Sequence, residues 1–338
     1  MRLVSASLLA MNRRKYSPRE VNHKPETDYH ARRPPQDDVR QGLGLQLRNT
    51  VEELFIRVAA SGFVPASWYL SLPDPAMITA RNGKLAIEIV SHCWQYEHLL
   101  AYQLSSLVNF PPTRATVRMT VFHARENLRT RAVLDFFGGI QVPGVAWNWQ
   151  VIEVGRLFRR AIGRNLIARS TTADWVWFTD CDIIFHCDCL DTLVERLQGR
   201  TDRMVHPREE RVTAMLAQTD HLLAAGRDQP RVVDIDTGQF TRLAVPQAKG
   251  AYQIVHGDIA RACGYCEQVA VFQRPVERWA KAFDDRTFRW LLQSDGTPLE
   301  VPGVYRIRHL YKGRYGDNKA EALIRGNIRR VKRAIKAR

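Results

Sequence analysis

The chain has 338 residues, with 50 Lys and Arg against 35 Asp and Glu, for a net charge of +15. A hydrophobic fraction of 45% with 25% charged residues is ordinary for a globular protein, and it excludes global disorder, a collagen-like repeat and a small disulfide-stapled scaffold. The surplus charge is concentrated at the ends: residues 1–40 carry +4 and residues 319–338 carry +7, so the long stretch between them is only mildly basic and does not read as a nucleic-acid groove.

In chain order, residues 1–40 are polar, with Lys24-Pro25 and Arg32-Arg33-Pro34-Pro35, and read as a flexible basic tail. Leu3 to Met11 is a short apolar run followed by Arg13-Arg14-Lys15 with no small-residue cleavage site. It reads as a disordered start, or as residues upstream of a start at Met11. No apolar run approaches the ~20 residues that a membrane-spanning helix requires. The six cysteines, Cys93, Cys181, Cys187, Cys189, Cys263 and Cys266, read as reduced thiols in the cytoplasm. Residues 41–83 form a helical extension: Leu47, Val51, Leu54, Phe55 and Val58 recur at helix spacing, and a Pro-containing segment from Phe63 to Met77 leads to Asn82-Gly83.

The rhythm then changes. Leu85, Ile87 and Ile89 alternate with Ala86, Glu88 and Val90 as a strand, and Tyr96, Leu100, Leu104, Leu107 and Val108 follow at helix spacing. Val117, Met119 and Val121 predict a second strand. A helix is predicted from Val151 to Ser170, then a buried strand at Asp174-Trp175-Val176-Trp177-Phe178, then a helix through Leu190, Leu193, Val194 and Leu197. Val232–Asp234 and Phe240–Val245 read as a hairpin turning at Asp236-Thr237-Gly238, and Ala251–Val255 as a further strand. Alternating strands and helices predict an α/β domain over 84–318, with a mainly parallel, Rossmann-like sheet flanked by helices. Residues 319–338 place Ile324, Ile328, Val331 and Ile335 on one face among Arg and Lys, a basic amphipathic helix.

The sharpest local feature is Thr179-Asp180-Cys181-Asp182 at the end of the buried strand. Ligands bind at the carboxyl ends of strands in such sheets. Strand periodicity would turn Asp180 and Asp182 to one side. Two uncompensated carboxylates there are costly, and a hard divalent cation with a diphosphate offsets that cost.

The stretch from Gly163-Arg164-Asn165 to Asp180-Cys181-Asp182 resembles the GT-A glycosyltransferases of the family 2 type. Two later segments, Phe283-Asp284-Asp285-Arg286-Thr287-Phe288-Arg289 and Val301-Pro302-Gly303-Val304-Tyr305-Arg306-Ile307-Arg308-His309, are similar to that family's acidic pair and closing histidine segment. The resemblance implies a GT-A fold and transfer of a sugar from a nucleotide-sugar donor to an acceptor hydroxyl, with inversion. It implies a divalent cation, Mn2+ or Mg2+, held by Asp182 with His309, and with Asp180 sharing the metal or facing the ribose. Asp285 is implied as the base, with Asp284 second. Arg164, Asn165, Ser91 and Lys312 become candidates for the nucleotide sugar, and Arg314 for its diphosphate. The acceptor would be a glycan, a lipid-linked molecule or another hydroxyl, and residues 319–338 could meet an anionic membrane surface.

The chain departs from the family at Ser91-His92-Cys93-Trp94-Gln95-Tyr96 and at Phe122-His123-Ala124-Arg125-Glu126-Asn127, which leaves the base of the donor open. Rival readings are a zinc site built from Cys181, Cys187, Cys189, Cys263 and Cys266, a nucleic-acid-binding protein anchored by its basic ends, and a nucleotidyltransferase, for which a Gly-rich phosphate loop after Ile89 is missing.

Overall fold

The computed structural model describes residues 48–217, 219–224, 229–277 and 283–309. The basic tail at 1–40, the helix at 319–338, Lys312 and Arg314 lie outside them.

A helix, α1, runs through 48–58, where the helix spacing of Val51, Leu54, Phe55 and Val58 expects one. Strand β1 (Leu85–Cys93) follows, then α2 (Glu97–Asn109), β2 (Ala115–His123) and α3 (Leu128–Gly138). β1 is buried on both faces. Its one carboxylate, Glu88, is satisfied inside by the hydroxyls of Thr120 and Thr171, each at 2.7 Å. A buried carboxylate with hydrogen bonds to both oxygens is tolerated where an unpaired one is not.

The segment 145–170 differs from expectation. Val145–Val151 is strand β3, at the sheet edge, and the predicted single helix is two pieces, α4 (Val154–Phe158) and α5 (Arg160–Ser170). The break is at Arg159 (φ −98°, ψ 79°), whose buried guanidinium pairs with Glu53 at 2.7 Å. The break also sets the start of α5 so that Arg160 faces Asp180.

β4 (Trp175–Phe178) is fully buried. Further elements are β5 (Ile183–Phe185), α6 (Cys189–Leu197), β6 (Met204–Pro207), β7 (Glu209–Thr213), α7 (His221–Ala224) and β8 (Phe240–Ala244). Then come β9 (Gln253–His256), α8 (Gly257–Cys263), α9 (Asp284–Leu291), β10 (Thr297–Leu299) and β11 (Val304–Arg306). The expected hairpin between 232–234 and 240–245 does not form. β8 pairs antiparallel with β7, and Val233 is held through its backbone by Ser105 and Asn109 of α2. Those side chains satisfy the peptide groups that a strand partner would otherwise take.

Two sheets result. The larger has the order β10-β6-β9-β4-β1-β2-β3, with β9 antiparallel to its neighbours and the other pairs parallel. The smaller is β5-β11-β7-β8. Alternate residues of the larger sheet feed two cores: Ile87, Ile89, Trp175, Trp177 and Ile254 pack with α2, α3 and α6, whereas Val90, Val176, Phe178 and Val255 pack with α5, α8 and α9. This is a mixed α/β domain whose mostly parallel central sheet is flanked by helices on both faces.

One close approach constrains the α5 side of the sheet. The amide of Gly257, at the start of α8, donates to Asp174 O at 2.7 Å, and a Cβ on Gly257 would lie 2.1 Å from Ala173 O. Gly257→Ala is therefore expected to destabilise the fold by about 1–3 kcal/mol despite alanine's better helix propensity. Urea unfolding would measure the change, and a wild-type midpoint would contradict it.

Candidate active site

The strand order reverses between β1 and β4: from β1 the chain goes on to β2 on one side, while β4 is followed outward by β9 on the other. Ligands bind in the crevice beyond the carboxyl ends of the strands at such a switch point. Ser91, His92 and Cys93 end β1 there, and Thr179 to Asp182 follow β4 there.

Asp180 to Ile183 form a turn, closed by the Ile183 amide on Asp180 O at 3.2 Å. Strand periodicity consequently does not govern the two carboxylates. Asp180 pairs with Arg160 through a short contact and with Arg164 at 3.6 Å. Asp182 lies instead in the field of Glu210, Tyr252 and Arg306. β11 pairs antiparallel with β5 and places Arg306 opposite Ile183. The Arg306 guanidinium donates to Glu210 at 2.8 Å, and the Tyr252 hydroxyl bonds the other Glu210 oxygen. Burial pushes the Glu210 carboxyl up, Arg306 and the Tyr252 hydroxyl oppose that, and the charge of Asp182 adds to the rise.

The turn is held from below by α2. Gln103, fully buried, donates to Asp180 O at 2.9 Å and to Ile183 O at 3.0 Å, and it accepts from the Ser91 hydroxyl at 2.7 Å. Ser106 accepts the Phe185 amide at 3.1 Å. Ser91, a candidate for nucleotide contact, is thus a buried link that orients Gln103. Sequence reasoning missed Gln103, although the signal was present: it is a polar residue on the apolar stripe of α2, three after Leu100 and four before Leu107. Gln103→Leu would strand buried carbonyls at about 1–3 kcal/mol for each group left unsatisfied. The expected outcome is a lower unfolding midpoint together with weaker nucleotide binding, and unchanged behaviour in both assays would contradict it.

Arg164 is completely buried. It donates to the Tyr265 hydroxyl at 2.7 Å and to Gly250 O at 2.8 Å, and it lies 3.8 Å from Asp284 Oδ2. It therefore bridges the Asp180 turn to the acidic pair at the start of α9. A nucleotide contact by Arg164 was expected, but no part of its side chain reaches the surface. Arg160, one turn earlier on the same helix face, is the guanidinium that is partly exposed beside Asp180. Burial works against the charge of Arg160, and Asp180 followed by Asp284 outweighs it, so the group stays firmly protonated. Asn165 accepts the Tyr265 amide at 2.8 Å, fixing the residue whose hydroxyl meets Arg164.

The acidic pair divides. Asp284 is 1% exposed, and neither of its carboxylate oxygens accepts a hydrogen bond among the described residues. Asp285 is half-buried; its carboxylate accepts the Gly250 amide at 3.2 Å, while its carbonyl accepts Gln253 at 2.9 Å. Both acids lie in the first turn of α9, where the helix dipole favours negative charge.

His309 is buried, with its ring packed against Tyr96 and His98 at centroid distances of 5.7 and 6.2 Å. His92 is buried and stacked on Phe122, and burial, followed by Arg164 and Arg160, holds it well below the usual imidazole range. Among the described residues no three His, Cys, Asp or Glu side chains are grouped to hold a metal by themselves. Mn2+ or Mg2+ bound with a diphosphate needs only one or two protein carboxylates, the rest of its shell coming from phosphate and water, and the Asp182 turn fits that requirement. The thiols proposed for zinc divide between the two cores: Cys181 and Cys189 lie on one side of the sheet, Cys263 and Cys266 on the other. No described helix is long and apolar enough to cross a membrane.

Neither a protein-family model nor a curated protein matches the chain. Among solved structures, the chain is similar to the mannosyltransferase PcManGT from Pyrobaculum calidifontis in complex with GDP-Man and Mn2+. The identity is 15%, the TM-score is 0.39, and the match covers 86% of this chain and 74% of that chain.

Proposed function

We propose that the chain is a metal-dependent glycosyltransferase of GT-A type, moving a sugar from a nucleotide-sugar donor to an acceptor hydroxyl with inversion. The observation that carries this reading is the buried Arg164, which ties Asp180 at the switch point to Asp284 across about a hundred residues of chain. Around it, Asp180, Asp182, Glu210, Asp284 and Asp285 gather at one crevice with Arg160, Arg164 and Arg306. Carboxyl groups outnumber guanidiniums there, as suits a cation arriving with a diphosphate.

In this reading Asp182, with His309 of the closing segment, would hold the cation, which would supply positive charge to offset the charge that grows on the leaving diphosphate. Asp180, fixed by Arg160, accepts from the nucleoside ribose. Asp285 takes the proton of the acceptor hydroxyl as its oxygen bonds to the anomeric carbon, and the electron pair of the broken bond leaves on the diphosphate. Asp285 suits this role better than Asp284 because it is the partly exposed member of the pair.

NMR of products formed from a panel of nucleotide sugars tests the reading. The expected product has an anomeric centre inverted relative to the donor. Retention would overturn the role of Asp285, and the absence of transfer or donor hydrolysis with every nucleotide sugar would overturn the assignment.

A further inference from the structure

A second concavity takes Gln247, the first residue of the 247–250 loop, into its lining. It has a volume of about 760 Å³ and is walled by residues 60–62 and 64–67 of the N-terminal extension and by Arg286, Arg289, Trp290 and Gln293 of α9 and its end. Pockets of roughly 300–1,000 Å³ hold small ligands. The spacing of Arg286, Arg289 and Trp290 places them on one face of α9, and Gln293 follows in the turn beyond its end. The extension is clamped over this face: Arg286 donates to Ala60 O at 3.2 Å and to Ser61 Oγ at 2.7 Å, and the Trp290 indole donates to Val64 O at 2.9 Å.

The lining is rich in donors. Arg289 is 8% exposed, uses one nitrogen on Ala248 O at 3.0 Å, and its Nε makes no hydrogen bond among the described residues. The only carboxylate in the lining is Asp295, at the exposed rim, 3.5 Å from that Nε. Gln247, Ser67 and Ser294 supply neutral polar groups. Two guanidiniums with amides and hydroxyls around them match an anionic, hydroxyl-rich molecule. Asp285 is not in the lining, but the chain links it to the cleft twice: Arg286 follows Asp285 in sequence, and the loop that begins at Gln247 ends with the Gly250 amide on Asp285.

We propose that this cleft binds an acidic group, carboxylate or phosphate, carried by the acceptor saccharide. This rests on the glycosyltransferase reading, and it makes the N-terminal extension part of the acceptor site.

Calorimetry on the full chain tests it with three probes, glucuronate, glucose 6-phosphate and glucose. At least one acidic probe is expected to bind about tenfold or more tighter than glucose, since charge-assisted hydrogen bonds are roughly twice as strong as neutral ones. A preference for glucuronate or for glucose 6-phosphate identifies the acidic group. Arg286→Gln should erase the preference. Because that change could loosen the extension, Gln293→Glu serves as a second variant. Gln293 is exposed, so the fold should keep its unfolding midpoint while acidic-probe binding falls several-fold and glucose binding is unchanged. Equal binding of all three probes, no binding of any, or acidic binding indifferent to both variants would overturn the proposal. Nucleotide binding is measured in the same samples: its presence without acidic-probe binding sinks this inference alone, whereas its absence sinks the glycosyltransferase reading.

Discussion

Asp285→Asn should lower the turnover of sugar transfer by about 10²- to 10⁴-fold, the usual contribution of a positioned base, while leaving the fold intact. The asparagine oxygen can still accept the Gly250 amide that now bonds Asp285 at 3.2 Å, so the start of α9 keeps its anchor. What disappears is the capacity to take a proton. The same change at Asp284 should act differently, because that side chain is 1% exposed and 3.8 Å from Arg164. There the unfolding midpoint should move at least as much as the rate. Steady-state kinetics of the two variants, each normalised to its folded fraction, separates the roles. A larger rate loss at Asp284 than at Asp285 would reverse the assignment.

Arg164→Leu should cost about 3–5 kcal/mol of stability, the penalty typical of removing one partner from a buried ion pair. Burying leucine does not offset this, because Asp284 would lose the guanidinium 3.8 Å away and keep only the field of Arg160, and Gly250 O and the Tyr265 hydroxyl would each lose a donor. The loss has a specific remedy. In Arg164→Leu/Asp284→Asn the stranded charge is gone, so the double variant should be more stable than Arg164→Leu alone. A double-mutant cycle by denaturant unfolding should return a coupling energy of about 1–3 kcal/mol. Strict additivity would mean that the 3.8 Å approach carries no interaction, and Arg164 would then not be the tie between the two acidic segments.

Legibility in the sequence tracked how locally each feature is encoded. β1, α2, β2 and α6 could be read because their apolar residues recur at periods that need no knowledge of partners, and β4 because its unbroken apolar run marks a strand buried on both faces. β3 could not: Trp147 and Trp149 alternate with Asn148 and Gln150 on a half-buried edge strand, and no turn residue separates them from the helical pattern that follows. β5, β10 and β11 span three residues each, too few to show a period. The hairpin expected near Asp236 failed because Phe240 to Ala244 found a partner in Glu209 to Thr213, an approach that only the closed fold provides.

The site divides the same way. Asp180, Asp182, Asp284 and Asp285 announce themselves as clustered acids. Their supports do not, because the meaning of Gln103, Glu210, Tyr252 and Arg306 arises only when segments 42 to 96 residues apart meet. Arg164 stood out in the sequence, but its burial gives it the work of holding the acids in place.

The most direct measurement is the thermal stability of the full chain with a panel of nucleoside diphosphates, with and without Mn2+. A ligand that binds only the folded state stabilises it by about 2.7 kcal/mol at a hundred times its dissociation constant. The account predicts that at least one nucleotide raises the midpoint, that Mn2+ enlarges the rise, and that Asp182→Ala abolishes the Mn2+-dependent part. No shift with any nucleotide, or an identical Mn2+-dependent shift in Asp182→Ala, would contradict it.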